Sequence, residues 1–236
     1  MADVPSPLIL AIETSGSCGS VALVGPESCL GEFSVDSGRT HSRRLLAMIS
    51  QLLTECESDW PELDAIAVGI GPGSFTGLRI GLSSAKGLAL AADKPLIGVS
   101  SLDGLAAQCS QQPMPVCAMI DARKQEVFAA FYQCRDREPP TRLGDFLALP
   151  PAELAARITT PTLMIGSGAT LYRKLLREKL GDLARFAPPA LAFARAAAIG
   201  GLATTSWQRR EFLAPTAGPL YVRPPDAEMI QKTTHQ

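Results

Sequence analysis

The sequence predicts an α/β fold built from two halves, each opened by a β-hairpin. Two short apolar runs joined by turn residues stand at the head of each half, and segments with helical periodicity follow them. Apolar residues make up 46% of the chain and charged residues 19%, which is typical of a chain that folds. The repeated order indicates a duplication at the level of structure, although no repeat is visible in the sequence. We predict two domains, residues 1–104 and 105–236.

The first half is predicted to contain five strands and three helices. The strands are short apolar runs bounded by turn residues: Leu8–Ile12, Ser20–Val24, Cys29–Ser34, Ala65–Ile70 and Leu96–Val99. The helices are expected from His41 to Cys56, from Phe75 or Thr76 to Ala92, and onward from Ser100. Ser74 is the predicted N-cap of the second helix, because its hydroxyl can accept a hydrogen bond from an amide of the first turn.

The second half repeats this theme. Its predicted elements are strands at Val116–Asp121, Glu126–Tyr132 and Thr162–Ile165, a tight turn at Gly166–Gly168, and helices at Leu171–Lys179 and Pro189–Trp207. The Ala-rich last helix is a candidate to pack back on the first domain. The Pro-rich segment from Pro215 to Pro225 is predicted to be extended, and the role of the tail after Pro225 is left open.

Composition excludes several classes of protein. A net charge of -1 provides no field that attracts phosphate backbones, so unaided nucleic-acid binding is not expected. The six cysteines form no CxxC pair, which favours reduced cytosol. No stretch approaches the ~20 apolar residues that span a bilayer, and no leader is recognisable, so we expect a cytoplasmic protein without a membrane partner.

Histidine chemistry is also poorly supported. The chain has two histidines, His41 and His235, and Leu45 stands where a second helical imidazole would be needed to bind a metal. Neither GxSxG nor HExxH is present. We therefore predict no metal site and no catalytic residues.

The glycine-rich stretch Gly69–Arg79 allows two interpretations. A strand-to-helix turn presents free amides that could cradle a phosphate. It departs from the dinucleotide fingerprint at Thr76 and lacks the Gly-Lys-Ser/Thr ending of a P-loop, so it could equally be a turn that lets the helix pack closely on the sheet. Gly77, Gly81 and Ala85 continue it as a ridge of small residues that could face either this chain or another.

The opening turn is a second candidate for phosphate chemistry. Glu13, Thr14 and Ser15 could wrap phosphates with amides and hydroxyls while the carboxylate holds a hydrated metal, although such turns are common. This possibility defines an alternative function, that of a small-molecule kinase or ATPase.

Five motifs give the chain a resemblance to a known family. They are Ala11–Ser15, His41–Leu46, Gly71–Gly81, Asp121–Arg123 and Tyr221–Arg223. In this order they resemble the TsaB (YeaZ) family, subunits of the bacterial machinery that makes threonylcarbamoyladenosine in tRNA. The resemblance implies the two-domain actin-like ATPase (ribonuclease H-like) fold, with mixed sheets flanked by helices, and a non-catalytic scaffold role.

The resemblance also implies partners. These are TsaD in a heterodimer, TsaE in a ternary complex, and tRNA only through the complex, with self-association when TsaD is missing. TsaD carries a metal-binding histidine pair, of which this chain keeps only His41. The two N-terminal helices would form the interface, through His41, Leu45, Met48, Ile49, Leu52, Gly77, Leu78, Gly81, Leu82 and Ala85.

Nucleotide binding is less clearly implied. The superfamily has aspartate where this chain has Glu13, and the added methylene displaces the carboxylate from the metal-water position. Gly166 and Gly168 resemble the adenosine loop of the superfamily but also fit a plain strand-ending turn. We expect no resident cofactor and leave weak ATP or ADP binding at the complex interface open. A glycoprotease-like peptidase remains the second alternative.

Overall fold

Two mixed β-sheets, one from each half of the chain, form the framework of the protein. The structure is a computed structural model that describes residues 7–38, 40–109, 112–136 and 138–223. The strands of the first half are β1 (Ile9–Glu13), β2 (Gly19–Val24), β3 (Cys29–Val35), β4 (Ala65–Gly71) and β5 (Leu96–Ser100). They form one sheet in the order β3-β2-β1-β4-β5, in which β1 pairs antiparallel with β2 and parallel with β4.

The second sheet repeats the plan of the first. Its strands are β6 (Val116–Asp121), β7 (Val127–Gln133), β8 (Thr141–Arg142), β9 (Leu147–Leu149), β10 (Thr162–Ile165) and β11 (Ala184–Phe186). The order is β11-β10-β6-β7-β8, and β9 also pairs with β7. As in the first sheet, the opening strand pairs antiparallel with the next strand and parallel with a later one. The predicted α/β class and the structural duplication are both confirmed.

The helices follow the same duplicated plan. They are α1 (Leu45–Glu55), α2 (Phe75–Ala92), α3 (Ser101–Ala107), α4 (Pro151–Ala156), α5 (Ser167–Leu171), α6 (Arg173–Leu180) and α7 (Ala196–Gln208). Short 3-10 turns lie at His41–Arg43, Trp60–Glu62, Gly181–Leu183 and Pro189–Leu191. Among these helices none is long and apolar enough to cross a membrane.

Three predicted helices are corrected at their ends. The first begins as a 3-10 turn, because Arg44 has a φ of -127° and interrupts the helix before Leu45. The predicted helix Leu171–Lys179 is two helices, α5 and α6, divided at Tyr172. The Ala-rich helix starts only at Ala196, since the 3-10 turn Pro189–Leu191 and an extended Arg195 precede it.

Each sheet is covered by helices on both faces. On one face of the first sheet, α1 and α2 pack against Leu10, Ile12 and other side chains of alternate strand positions. On the opposite face α7 packs, and the closest approach is at Gly200, where an added Cβ would lie 2.5 Å from Val24 Cγ2. The second sheet carries α4, α5 and α6 on one face and α3 on the other.

The last helix of each half packs on the sheet of the other half. The helix α3 follows the first sheet in sequence but buries Leu102 and Leu105 against the second sheet, and α7 follows the second sheet but packs on the first. The division at residues 104 and 105 stays a prediction, because α3 and α7 each bridge the two halves.

The chain returns across the first half after α7. We call residues 209–223 the return segment; it contains neither helix nor strand, and the predicted extension to Pro225 and the tail lie outside the described residues. The amide of Leu213 donates to Leu96 O (2.7 Å), and the amide of Leu220 donates to Ile70 O (2.8 Å). Lys86 Nζ donates to the carbonyls of Pro215 and Ala217, each at 2.6 Å. These bonds place the end of the segment beside α2.

Candidate functional site

A cleft of about 940 Å³ lies between the two halves, at the carboxyl ends of β1, β4, β6 and β10. Its walls are the turn after β1, the start of α2, the β6–β7 hairpin and the end of the return segment. Clefts at the carboxyl ends of strands are the usual ligand sites of α/β proteins. We therefore take this cleft as the first candidate site.

Glu13 lies beneath the cleft, not in it. Its side chain is buried, with 1% exposed, and does not line the cleft. One carboxylate oxygen accepts from the amide of Ser15 (2.5 Å) and the other from Ser101 Oγ (2.8 Å). Burial, the largest effect, raises the pKa of Glu13 above its usual value. Each oxygen thus accepts a hydrogen bond from a buried donor, and the role of this carboxylate in holding a hydrated metal stays a prediction.

The other predicted nucleotide residues separate in the same way. Ser15 lines the cleft, whereas Thr14 is buried and its hydroxyl donates to Gly77 O (2.9 Å). Gly166, with a φ of +107°, lets the backbone approach Met119 O, from which an added Cβ would be only 2.2 Å away. Gly168 lies inside α5 and packs on Met119 as well. The Gly166–Gly168 stretch is thus a close helix-to-strand contact.

The glycine ridge of α2 also serves packing within the chain. Ser74 is the N-cap, as predicted, and accepts from the amide of Gly77 at 3.3 Å. A Cβ at Gly77 would lie 2.1 Å from Thr14 O, and a Cβ at Gly81 would lie 2.2 Å from Thr14 Oγ1. Of the two interpretations of the ridge, the intramolecular one is correct.

The residues predicted for the partner interface lie mostly inside this chain. Of the ten, nine are buried within the chain, and Met48 is half-buried: His41, Leu45, Ile49, Leu52, Gly77, Leu78, Gly81, Leu82 and Ala85 are the buried ones. Leu45, Ile49 and Leu52 of α1 fill the space between the helix and the first sheet. These side chains pack within this chain, and their assignment to a partner interface stays a prediction.

The opposite faces of the same two helices are exposed. We call this area the outer helix surface and define it by Leu46, Ala47, Ser50 and Thr54 of α1 and Ser83, Gly87, Leu90 and Ala91 of α2. Leu46 is 60% exposed and Leu90 is 85% exposed. All eight residues are uncharged, whereas the exposed charges Glu55 and Arg79 lie at the end of α1 and near the start of α2. An added Cβ at Gly87 would meet no atom within 4 Å. The sequence analysis missed this face, although Ser83, Gly87 and Ala91 repeat the four-residue spacing of the inner ridge.

His41 is a structural residue. Its Nε2 lies 2.9 Å from Gly16 O and, because a carbonyl only accepts, must carry the proton. Nδ1 faces Arg44 Nη2 at 3.4 Å. In the described residues no group of three His, Cys, Asp or Glu side chains could hold a metal ion.

The mouth of the cleft carries an exposed aromatic and cationic cluster. Phe75 and Tyr221 stack with ring centroids 5.7 Å apart and are 42% and 37% exposed. The Arg79 guanidinium lies 3.9 Å from the Phe75 ring centroid, and its Nε donates to Tyr221 Oη (3.4 Å). Sequence reasoning quoted these residues only as motif members and missed that distant segments bring them together.

Comparison with known proteins decides the family. A family model described as TsaD, tRNA N6-adenosine threonylcarbamoyltransferase, matches residues 35–231. The tRNA threonylcarbamoyladenosine biosynthesis protein TsaB of Bacillus subtilis is 31% identical over 180 residues, covering 73% of this chain and 76% of that protein. The chain belongs to the TsaB family. TsaB of Escherichia coli is 43% identical over 127 residues, so that the alignment spans about half of each protein, 53% of this chain and 54% of the relative.

Solved structures agree with the TsaB assignment. A Pseudomonas aeruginosa protein described as similar to peptidase YeaZ has a TM-score of 0.78 at 31% identity, covering 92% of this chain and 100% of that one. Component A of (R)-2-hydroxyglutaryl-CoA dehydratase from Acidaminococcus fermentans has a TM-score of 0.52 at 14% identity, covering 87% and 100%. This more distant likeness concerns the fold alone, which is the predicted actin-like ATPase fold.

Proposed function

We propose that this chain is a non-catalytic scaffold subunit that pairs with a TsaD protein through the outer helix surface. In that complex it supports formation of the threonylcarbamoyl group on the adenosine next to the anticodon of tRNA. The observation that carries the proposal is the scarcity of charge on α1 and α2, which contain only Glu55 and the pair Arg79 and Lys86, respectively. Exposed helix faces of soluble domains normally carry charged side chains, and contiguous uncharged apolar faces mark protein interfaces.

The duplicated fold supplies an internal comparison. The helix α6 lies between β10 and β11, after the short uncharged α5, as α2 lies between β4 and β5, and it packs on the corresponding face of its sheet. Five of its eight residues are charged, RKLLREKL, whereas α2 has only Arg79 and Lys86 among 18 residues. The Nζ of Lys86 is engaged by the return segment. The contrast between equivalent positions supports a partner on the first half.

The helix surface also has the shape that helix packing needs. Ser83, Gly87 and Ala91 are small, exposed residues at four-residue spacing along α2, and the exposed Leu90 lies beside them. Small residues at four-residue spacing let a second helix approach closely, and exposed leucines at the edge can fill the neighbouring grooves. A second copy of this chain could occupy the same surface when TsaD is absent.

A non-catalytic role is supported by the groups around the cleft. His41 has both ring nitrogens committed to neighbours, and Glu13 is buried beneath the cleft floor. Neither is placed to activate a hydroxyl nucleophile or a water in the cleft. We infer that TsaD performs the transfer, that a TsaC protein supplies the threonylcarbamoyl-adenylate, and that TsaE joins as the ATPase, all in the cytoplasm.

The test is reconstitution of threonylcarbamoyladenosine formation on unmodified tRNA with TsaC, TsaD and TsaE, with and without this chain. Leu46→Asp and Leu90→Asp should each reduce TsaD binding at least 10-fold while thermal stability is kept. Leu171→Asp, at a leucine of α5 that is also exposed, is the matched control and should bind TsaD normally. Full activity without the chain, or normal TsaD binding by both interface variants, would contradict the proposal.

The same preparation addresses the alternatives. Sustained ATP turnover by the purified chain with magnesium would favour a kinase or ATPase. Cleavage of casein that is abolished by a chelator would favour a peptidase. We expect neither.

A further inference from the structure

The cleft mouth lies outside the outer helix surface and carries its own signs of ligand binding. Four aromatic rings line the cleft, Phe75, Phe128, Phe193 and Tyr221, of the eight Phe and three Tyr in the chain. Two of these rings are stacked and open to solvent. Exposed aromatic faces are costly to leave in water and are enriched where planar ligands stack.

The charge of the cleft differs from that of the whole chain. The chain has a net charge of -1, yet the Lys, Arg, Asp and Glu side chains that line the cleft are three cations, Arg123, Lys124 and Arg223, and one carboxylate, Asp121. Arg223 is paired with Glu126 and also donates to Ala122 O (3.2 Å). Arg79 adds a further cation at the mouth. The local excess of positive charge favours an anionic ligand.

The cations are presented on a strained hairpin tip. Arg123, Lys124 and Gln125 have φ values of 61°, 50° and 62°, which non-glycine residues rarely adopt, least of all in succession. Two hydrogen bonds hold the hairpin. The amide of Arg123 donates to Asp121 Oδ1 (3.0 Å), and the amide of Glu126 donates to Arg123 O (2.9 Å). The side chain of Arg123 is 88% exposed, and its ion pair with Asp121 is 3.7 Å long, so it keeps free donors.

Aromatic and cationic groups thus line and border the same cleft. The first half contributes Phe75 and Arg79, the second half contributes Arg123, and the return segment contributes Tyr221. Rings that stack on bases beside guanidinium groups that bind phosphates are the recognition elements for single-stranded RNA. A volume of about 940 Å³ exceeds the space one mononucleotide needs and leaves room for a short strand.

We propose that the cleft mouth binds a single-stranded segment of the tRNA substrate, with Phe75 and Tyr221 stacking on bases and Arg79 and Arg123 contacting phosphates. The proposal rests on the proposed function. The overall charge of the chain is too weak to attract RNA, so the RNA must be delivered by the complex with TsaD. The chain would then help to position the RNA in addition to supporting TsaD.

The test uses the assembled complex of this chain with TsaD and an unmodified tRNA transcript with 4-thiouridine in the anticodon loop. Ultraviolet cross-linking followed by mass spectrometry should identify peptides that contain residues 75–79 or 221–223. Tyr221→Ala should raise the KM for tRNA about 5- to 50-fold, from loss of one stacked base. Arg123→Glu should raise it about 3- to 10-fold and lower the salt dependence of tRNA binding by about one phosphate contact.

Two controls separate stacking and charge from general damage. Tyr221→Phe keeps the ring and should bind tRNA nearly as wild type does, although the bond to Arg79 is lost. Lys174→Glu changes a cation of α6 that is away from the cleft and should leave the KM unchanged. Co-elution of each variant with TsaD is measured first and should match wild type.

Each outcome bears on the proposal. Cross-links confined to TsaD, or an unchanged KM in both cleft variants, overturn it while leaving the scaffold function intact. Displacement of the cross-link by ATP or ADP at concentrations below those of competing RNA overturns it in favour of a nucleotide site. If the wild-type chain does not co-elute with TsaD, the proposed function itself fails, and this inference fails with it.

Discussion

Two glycines on α2 allow the packing of this helix to be tested with one matched pair of variants. Gly81 faces Thr14, whose Oγ1 would lie 2.2 Å from an added Cβ, whereas Gly87 has nothing within 4 Å. Both lie within the helix, so alanine should give each about the same gain of ~1 kcal/mol in helix propensity. Any difference between the two variants therefore reports the contact with Thr14.

The loss of stability expected for Gly81→Ala follows from the movement of Thr14 that an added Cβ requires. Thr14 has to turn away, which breaks its 2.9 Å bond to Gly77 O, a loss of about 1 kcal/mol. Overpacking of a closed contact adds about 1–3 kcal/mol. After the propensity gain, Gly81→Ala should lower the free energy of unfolding by about 1–3 kcal/mol, whereas Gly87→Ala should raise it by about 1 kcal/mol.

Thermal unfolding followed by circular dichroism measures the pair. For a chain of this length each kcal/mol corresponds to about 2–4 °C, so Gly81→Ala should melt about 2–12 °C lower and Gly87→Ala about 2–4 °C higher than wild type. Equal shifts in the two variants would refute the packing of α2 on the opening turn. Arginine at the same positions extends the test: Gly81→Arg should prevent stable folding, and Gly87→Arg should fold but bind TsaD weakly.

Three further predictions concern buried polar groups and the return segment. Burial raises the pKa of Glu13, so the folded state holds this proton more tightly than the unfolded chain does, and stability is lost as pH rises from about 4.5 through the raised value. In urea titrations Glu13→Gln should therefore be more stable, relative to wild type, at pH 8 than at pH 5. Glu13→Ala should lower the free energy of unfolding by about 2–5 kcal/mol, because two buried donors lose their acceptor. Lys86→Met should speed limited proteolysis near Pro215 with little change in melting temperature, since it releases only the return segment. Tyr132→Phe should cost about 1–2 kcal/mol in urea unfolding through loss of its 2.6 Å bond to Asp103.

Local sequence signals predicted most of the framework. The strands of both hairpins, the helix start at Ser74 and the duplicated order follow from apolar runs, turn residues and caps, which act within a few residues. The errors at helix ends arise where tertiary contacts or proline decide the boundary. Arg44, for example, interrupts the first helix while its guanidinium donates to Ser37 Oγ and approaches Ser17 O.

The direction of a helix face could not be predicted in the same way. On α2 an inner ridge beginning at Gly77 and an outer ridge beginning at Ser83 both repeat every four residues, and apolar side chains flank both. What selects the inner ridge is Thr14, which is 63 residues away in sequence and binds Gly77 O. Glu13 presents the same difficulty, because its burial depends on Ser101 and on the missing side chain of Gly69.

The helix α2 links the proposed partner surface to the cleft. Its inner face is fixed to the opening turn through Gly81, its outer face carries Gly87 and Leu90, and its first turns present Phe75 and Arg79 at the cleft mouth. A rigid helix held this closely cannot shift on one side without moving the groups on the others. A partner seated on the outer face would therefore set the position of the aromatic cluster, so that RNA binding by the cleft mouth should strengthen when TsaD is present.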